Sequence, residues 1–244
     1  MEKQLSNLIK IRKVNGLDKK KMREWRNSQN VRPFMYNDKI ITEEEHSRWF
    51  DKMLYDNTKI YWVIELHDKA VGVVNLVNID KNNSSCDWAF YIFNPDTRGK
   101  GVGSFVERFV LDYVFNELQL NKLNCEVLET NPNVVKMHEK FGFKQEGFFR
   151  QAIRKNDSLV GIHRLSMLRE EYLELKKEKT PIEKDLEIIN KIQNIRSKNN
   201  INWMDVLRLC LKENNKEAKK IIANINNHDS EISKLVEELS SNEE

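Results

Sequence analysis

The chain has 244 residues, 39% of them hydrophobic and 32% charged, and its 41 basic and 38 acidic residues leave a net charge of +3. That balance excludes binding to nucleic acid or a membrane surface by bulk charge, and no apolar run approaches the ~18 residues of a membrane-spanning helix. Cys86, Cys125 and Cys210 are odd in number and widely spaced, so neither a disulfide framework nor a metal knuckle is expected. The N-terminal MEKQLSNLIKIRK lacks the apolar segment of a secretory signal, and the expectation is a cytoplasmic protein.

In chain order, Leu8 to Val14 has strand composition, and Leu17, Met22 and Trp25 make a helix stripe over residues 17–27. Thr42 and Glu45 form a capping box that opens a helix carrying Trp49, Phe50, Met53 and Leu54. Strands follow at 60–66 and 71–79, joined by a turn at His67-Asp68-Lys69, and another runs from Cys86 to Phe93. A glycine cluster then leads into a helix with Phe105, Phe109, Val110, Val114 and Leu118. Leu123 to Leu128 reads as a strand, Asn131 to Phe141 as a short helix, and 148–154 and 159–168 as closing strands around Lys155-Asn156-Asp157-Ser158. The order βααβββαβαββ predicts an α/β domain with a mostly antiparallel mixed sheet, flanking helices and at least one βαβ crossover.

Composition changes near residue 169. Residues 1–169 carry 28 Lys/Arg and 22 Asp/Glu (+6), whereas residues 170–244 carry 13 and 16 (−3) and no glycine. The expected division is 1–168 and 169–244, the second being an all-helical docking or oligomerisation module. Its stripes are Ile182/Leu186/Ile189/Ile192, Trp203/Met204/Leu207/Leu211, Ile221/Ile222/Ile225 and Ile232/Leu235/Val236/Leu239, punctuated by Asn pairs. No catalytic constellation falls in it.

The glycine cluster, Asp96-Thr97-Arg98-Gly99-Lys100-Gly101-Val102-Gly103-Ser104, lies between a strand and a helix. Successive N–H groups there make an anion nest, reinforced by the helix dipole, with Arg98 and Lys100 adding charge. The spacing fits neither a P-loop nor a dinucleotide fingerprint. It reads R-x-x-G-x-G, and here the sequence resembles the GNAT superfamily of N-acetyltransferases, whose acetyl-CoA pyrophosphate loop has that pattern. Asp87 to Pro95 resembles the family's fourth strand and splayed edge, and Asn131 to Phe143 resembles its N…(Y)EKxGF segment. The likeness covers residues 8–168.

The resemblance implies an acetyl-CoA-dependent N-acetyltransferase acting by direct transfer. The cofactor would be held by backbone at Tyr91, Ile92 and Phe93, by Arg98, Gly99, Lys100, Gly101, Val102, Gly103 and Ser104, and by Asn131 and Lys136. Asn131 also suits a helix N-cap, with Pro132 at N1. His138 stands where many members carry a tyrosine acid, and imidazole titrates in the range such a role needs. Asp87 is the candidate base or relay, ahead of Glu65 and Glu126, and strand pairing is its alternative role. Arg26, Phe34, Met35, Tyr36, His46, Trp49 and Phe50 resemble the acceptor side of one branch of the family. That branch contains a UDP-4-amino-deoxysugar acetyltransferase as well as ribosomal-protein and spermidine acetyltransferases. Arg26 and Arg32 suit a diphosphate and the aromatics offer flat apolar surface for a base and sugar, although taken alone such aromatics are more often core packing than ligand stacking. The leading expectation is therefore transfer to the 4-amino group of a UDP-linked amino-deoxysugar, as in pseudaminic acid biosynthesis. The alternatives are a protein N-terminal or polyamine acetyltransferase, and a non-catalytic CoA-binding scaffold acting through the tail. No nucleic acid or membrane partner is expected, and a second copy or a protein partner would dock on the C-terminal helices.

Overall fold

The computed structural model describes residues 8–97, 99–155 and 157–177, together with parts of 188–196 and 227–238. The chain divides into two compact units, Met1–Lys176 and Lys177–Glu244. The boundary thus falls eight residues beyond the expected one.

The first unit is built on a mixed sheet of seven strands: β1 (Ile9–Lys13), β2 (Ile60–Leu66), β3 (Lys69–Asp80), β4 (Ser85–Ile92), β5 (Lys122–Leu128), β6 (Lys144–Lys155) and β7 (Ser158–Leu168). Their spatial order is β1-β2-β3-β4-β5-β7-β6, and β4–β5 is the parallel pair. The helices are α1 (Lys19–Asn27), α2 (Glu43–Leu54), α3 (Val102–Asp112), α4 (Pro132–Lys140) and α5 (Arg169–Lys176). The fold expected from the hydrophobic pattern is the one observed.

Alternation along the strands sends side chains to two different cores. On one face Trp62, Val74, Leu76, Cys86, Trp88, Leu123, Cys125 and Leu165 pack with Val106, Val110, Val114 and Phe115 of the α3 segment, Val135 of α4 and Tyr172 of α5. On the other, Val73 packs with Met22 of α1 and with Phe50 and Met53 of α2, flanked by Trp25, Tyr61 and Tyr91. Each large side chain removed from water in this way contributes about 1.5–3 kcal/mol.

Several local expectations change. Leu17 is 90% exposed, because Asn15 caps a 3-10 turn over Gly16–Asp18 and α1 begins only at Lys19. The Thr42/Glu45 capping box is present at α2. The β2–β3 turn is tighter than expected: His67 and Asp68 alone take positive φ (51° and 58°), and Lys69 already pairs with Leu66. After α3 the chain continues as a π turn, Tyr113–Glu117, which turns both Val114 and Phe115 inward. Strand β6 starts four residues before its expected first residue, its polar N-terminal half having given no alternation signal. Helix α5, expected to lie in the tail module, packs on the first unit: Tyr172 is buried, stacks on Phe115 at 5.0 Å and donates its hydroxyl to Asp112 at 2.9 Å.

In the second unit residues 229–238 are helical, with Val236 exposed and Ile232 and Leu235 half-buried. Of the first stripe, Ile189 is exposed beside a buried Ile188. The stripes at 203–211 and 221–225 lie outside the described residues.

Candidate active site

Strands β4 and β5 pair only at Ser85↔Lys122, Cys86↔Leu123 and Asp87↔Asn124. Beyond that point β4 follows β3 as far as Ile92 and β5 follows β7 as far as Leu128, so the two strands part and open a wedge in the sheet. The Asn124 side-chain amide closes its apex, donating to the Cys86 carbonyl at 3.1 Å. From Trp88 onward the β5-facing edge of β4 has no ladder partner. Phe93 donates its N–H to Val71 at 3.0 Å, on the β3 side. With a two-residue period, Tyr91 points its N–H the same way, and Ile92 and Phe90 turn theirs into the wedge. Of the three residues expected to offer backbone to the cofactor arm, Ile92 is thus the one whose N–H turns into the wedge. The Tyr91 side chain packs with the opposite core, and the Phe93 ring stacks on Trp25 at 4.5 Å.

The glycine cluster lies at the open end of β4. Gly99 and Gly101 have φ of 75° and 74°, and a Cβ on either would meet nothing within 4 Å, so glycine is required by backbone conformation and not by crowding. Gly101 is the N-cap of α3 and carries no side-chain cap, which leaves the first-turn N–H groups of Val102, Gly103 and Ser104 for an anion. Val102 itself is buried and offers backbone only. Gly103 lies between the wedge and α4, where a Cβ would stand 3.4 Å from Met137 Sδ and 3.8 Å from the Phe90 ring. Lys100 and Lys136 are exposed; Arg98 lies outside the described residues. Asn131 precedes α4 but makes no capping bond, contrary to one of its two expected roles, and its amide remains available to a ligand. An open strand edge leading to an uncapped helix N-terminus suits a long pantetheine-diphosphate group. No cluster of His, Cys, Asp or Glu able to hold a metal ion occurs among the described residues.

Two polar groupings flank the wedge. On the α1/α2 face, Arg164 of β7 donates to Asp87 at 2.9 Å and to Glu126 at 2.8 Å. Asp87 also accepts from Asn78 at 2.8 Å, and the Tyr36 hydroxyl donates to Glu126. Burial alone would lower Arg164, but the two carboxylates outweigh it and hold the guanidinium above its ordinary value. Burial, then the Glu126 carboxylate, likewise holds the Tyr36 phenol above its ordinary range. Both Asp87 oxygens are therefore occupied, which makes it an anchor of the network before it is a base. Glu65 is two strands away from β4 and pairs with Arg12 at 2.7 Å. Sequence reasoning missed Arg164, whose partners lie 77 and 38 residues away.

On the other face, His138 of α4 is buried, and its Nδ1 lies 2.7 Å from Oε1 of the fully buried Glu107 of α3. Its ring meets those of Trp88 at 5.2 Å and Phe143 at 5.4 Å. Glu107 was also missed. The available signal is an acid on the buried stripe, four residues before Leu111 and three before Val110.

The acceptor-side residues separate. Phe50 is fully buried in the second core and His46 is 5% exposed against Trp49 and Phe50 (ring centroids 5.1 and 5.9 Å), so both pack rather than face a ligand. Burial lowers the His46 imidazole below its ordinary value, and the nearby Arg23 and Lys19 add to the effect. Phe34, Tyr36 and Trp49 are exposed and Met35 is half-buried. Arg26 donates to the Asn37 carbonyl, while its Nη1 is buried with no partner. Lys155, at the tip of the β6–β7 hairpin, donates to the Met35 carbonyl at 2.7 Å and to that of Pro33. An open groove of about 510 Å³ lies there, lined by Arg32, Pro33, Asp38, Lys39, Ile40 and Lys155.

A split parallel strand pair, an unpaired β4 edge and an uncapped glycine-rich helix start define the class: an acetyltransferase. Residues 9–144, more than half of the chain, match the Acetyltransferase (GNAT) domain, and the chain belongs to that family. It is similar to acetyltransferase PseH of Campylobacter jejuni, 27% identical over 62% of this chain and 96% of that one. It is also similar to the spermidine N(1)-acetyltransferase of Vibrio cholerae, 25% identical over 69% and 98%. The crystal structure of the Vibrio cholerae spermidine N-acetyltransferase in complex with CoA and spermine superposes with a TM-score of 0.64 at 25% identity, covering 68% of this chain and 99% of that one. The protein is thus an acetyl-CoA-dependent N-acetyltransferase acting on an amine.

Proposed function

We propose that the acceptor is the 4-amino group of a UDP-linked amino-deoxysugar and that transfer is direct. The observation that carries this reading is the charge of the groove on the acceptor side: three cations, Arg32, Lys39 and Lys155, face one acid, Asp38. The unpartnered buried Nη1 of Arg26 belongs to the same loop region through its bond to Asn37. Such a groove attracts a diphosphate and repels a polycation. Tyr36 ties this loop to the wedge through Glu126, and Phe34 offers an exposed ring for a base. Asp87, Glu126 and Arg164 together carry one net negative charge, which suits a single amine delivered to the wedge.

Bound acetyl-CoA supplies a thioester. In this reading the Ile92 N–H faces the developing charge on the carbonyl oxygen. The loop from Arg98 to Ser104, with Lys136 and Asn131, holds the diphosphate and arm, and His138 protonates the departing thiolate. Asp87 relays the amine proton only when Arg164 or Asn78 releases it. The two free cysteines among the described residues, Cys86 and Cys125, are buried, and burial raises both thiols, Cys86 to about 12, which argues against an acyl-cysteine.

One observation favours a polyamine: a groove of about 440 Å³ lined by Glu43, Glu44, Ser47 and Arg48. Glu43 is already paired with Arg23 at 3.2 Å, which weakens that reading. Release of free thiol from acetyl-CoA, with UDP-4-amino-deoxysugar, spermidine and N-terminal peptides offered in parallel, tests it. Turnover only with spermidine or with peptides would overturn the sugar assignment.

A further inference from the structure

The buried pair behind the wedge has one feature that packing does not require. Glu107 Oε1 meets His138 Nδ1 at 2.7 Å, while Oε2 of the same carboxylate is buried without a partner, as is Nε1 of the neighbouring Trp88. A polar pair kept only for stability would satisfy both oxygens, since an orphan buried carboxylate oxygen is costly. Position gives the pair its significance. Trp88 is the first residue of β4 beyond the last β4–β5 pair, and its ring lies against the His138 ring, so the imidazole backs directly onto the apex of the wedge. Which ring nitrogen of a histidine carries the proton is set by the hydrogen bond the other makes.

We propose that Glu107 is the positioning residue for His138: it accepts a hydrogen bond from Nδ1–H and so commits Nε2 to the leaving thiolate. This rests on the reading of His138 as the acid. The amine nitrogen bonds to the acetyl carbon as the carbon–sulfur bond breaks, and the electron pair of that bond stays on sulfur. The Nε2 proton of the imidazolium passes to the sulfur, leaving a neutral imidazole that keeps its Nδ1–H on Glu107. The proton shed by the amine goes to solvent, by way of Asp87 when Arg164 or Asn78 releases that carboxylate, and solvent returns one to Nε2. Because Glu107 Oε1 accepts from Nδ1–H before and after transfer, the proton that moves is the one on Nε2.

Two readouts test this. The first is the ¹⁵N spectrum of the ring nitrogens in the full-length protein without substrate, His138 being assigned among the five histidines by its loss in His138→Ala. Nδ1 should be protonated in the wild type, and Glu107→Gln should abolish that preference. An unprotonated Nδ1 beside a protonated Nε2 in the wild type would overturn the proposal, with no need for any variant to fold. The second is a kinetic cycle with the acceptor that supports turnover. Glu107→Gln should lower kcat at least tenfold with KM for acetyl-CoA within twofold, and should add no further loss in a His138→Ala background. Multiplicative losses in the double variant would mean that Glu107 does not act through His138. Full turnover in His138→Ala alone would instead remove the acid reading on which the proposal rests.

Discussion

Gly72 of β3 has no room for a side chain: a Cβ there would stand 2.4 Å from the Tyr91 carbonyl oxygen and 3.0 Å from Ile64 Cδ1. Gly72→Ala must therefore push β3 from β4, and we expect a loss of about 1–3 kcal/mol in thermal or urea unfolding. Gly101 presents the opposite case, with open space but a left-handed backbone. Gly101→Ala introduces strain of about 1–2 kcal/mol, which the loop relieves by changing shape. Its effect should appear as weaker acetyl-CoA binding in calorimetry, near tenfold, with little change in unfolding. His46 governs a pH dependence. Its folded value lies below the ordinary 6.5, so the unfolded chain takes up a proton more readily. Stability present above pH 6.5 is therefore lost as pH falls through 6.5 toward the folded value. His46→Phe should flatten the fall in Tm between pH 7 and 5, and an unchanged slope would show that other groups set it.

Among the elements, β7 and α5 extend the fold beyond the part that carries recognisable motifs. Arg164 sits on β7 opposite Glu126 and bridges to Asp87 on β4, across the width of β5. Arg164→Met should lower kcat/KM for the acceptor at least tenfold while leaving KM for acetyl-CoA unchanged, measured by initial rates against each substrate. Tyr172→Ala on α5 removes a buried ring and its bond to Asp112, and should cost about 3–5 kcal/mol in chemical unfolding. Strands β2 to β5 could be read from the chain because each alternates or runs apolar between clear turns. The glycine loop and α4 could be read because their chemistry is local in sequence. Arg164 and Glu107 could not, since the first is one arginine on a closing strand and the second one acid in an apolar helix. Only the fold brings their partners within 3 Å. Helix α5 was hidden because its glycine-free, acidic composition continues smoothly into the tail.

At the scale of the molecule, the net charge of +3 averages over a basic part, +6 over residues 1–169, and an acidic one, −3 over residues 170–244. The catalytic unit runs to Lys176, so the glycine-free surplus that forms a second unit is shorter than composition suggests. A chain ending at Lys176 should keep its fold, whereas one ending at Leu168 loses α5 and bares Phe115. Comparison of the two by circular dichroism checks the boundary. In the proposed reading the wedge takes acetyl-CoA and the cationic groove beside Tyr36 takes the acceptor. The most direct test is competition: thiol release from acetyl-CoA with a UDP-4-amino-deoxysugar at limiting concentration, titrated with UDP and, separately, with spermidine. The groove predicts inhibition by UDP that Lys155→Ala relieves, and none by spermidine. Inhibition by spermidine with indifference to UDP would contradict the central assignment.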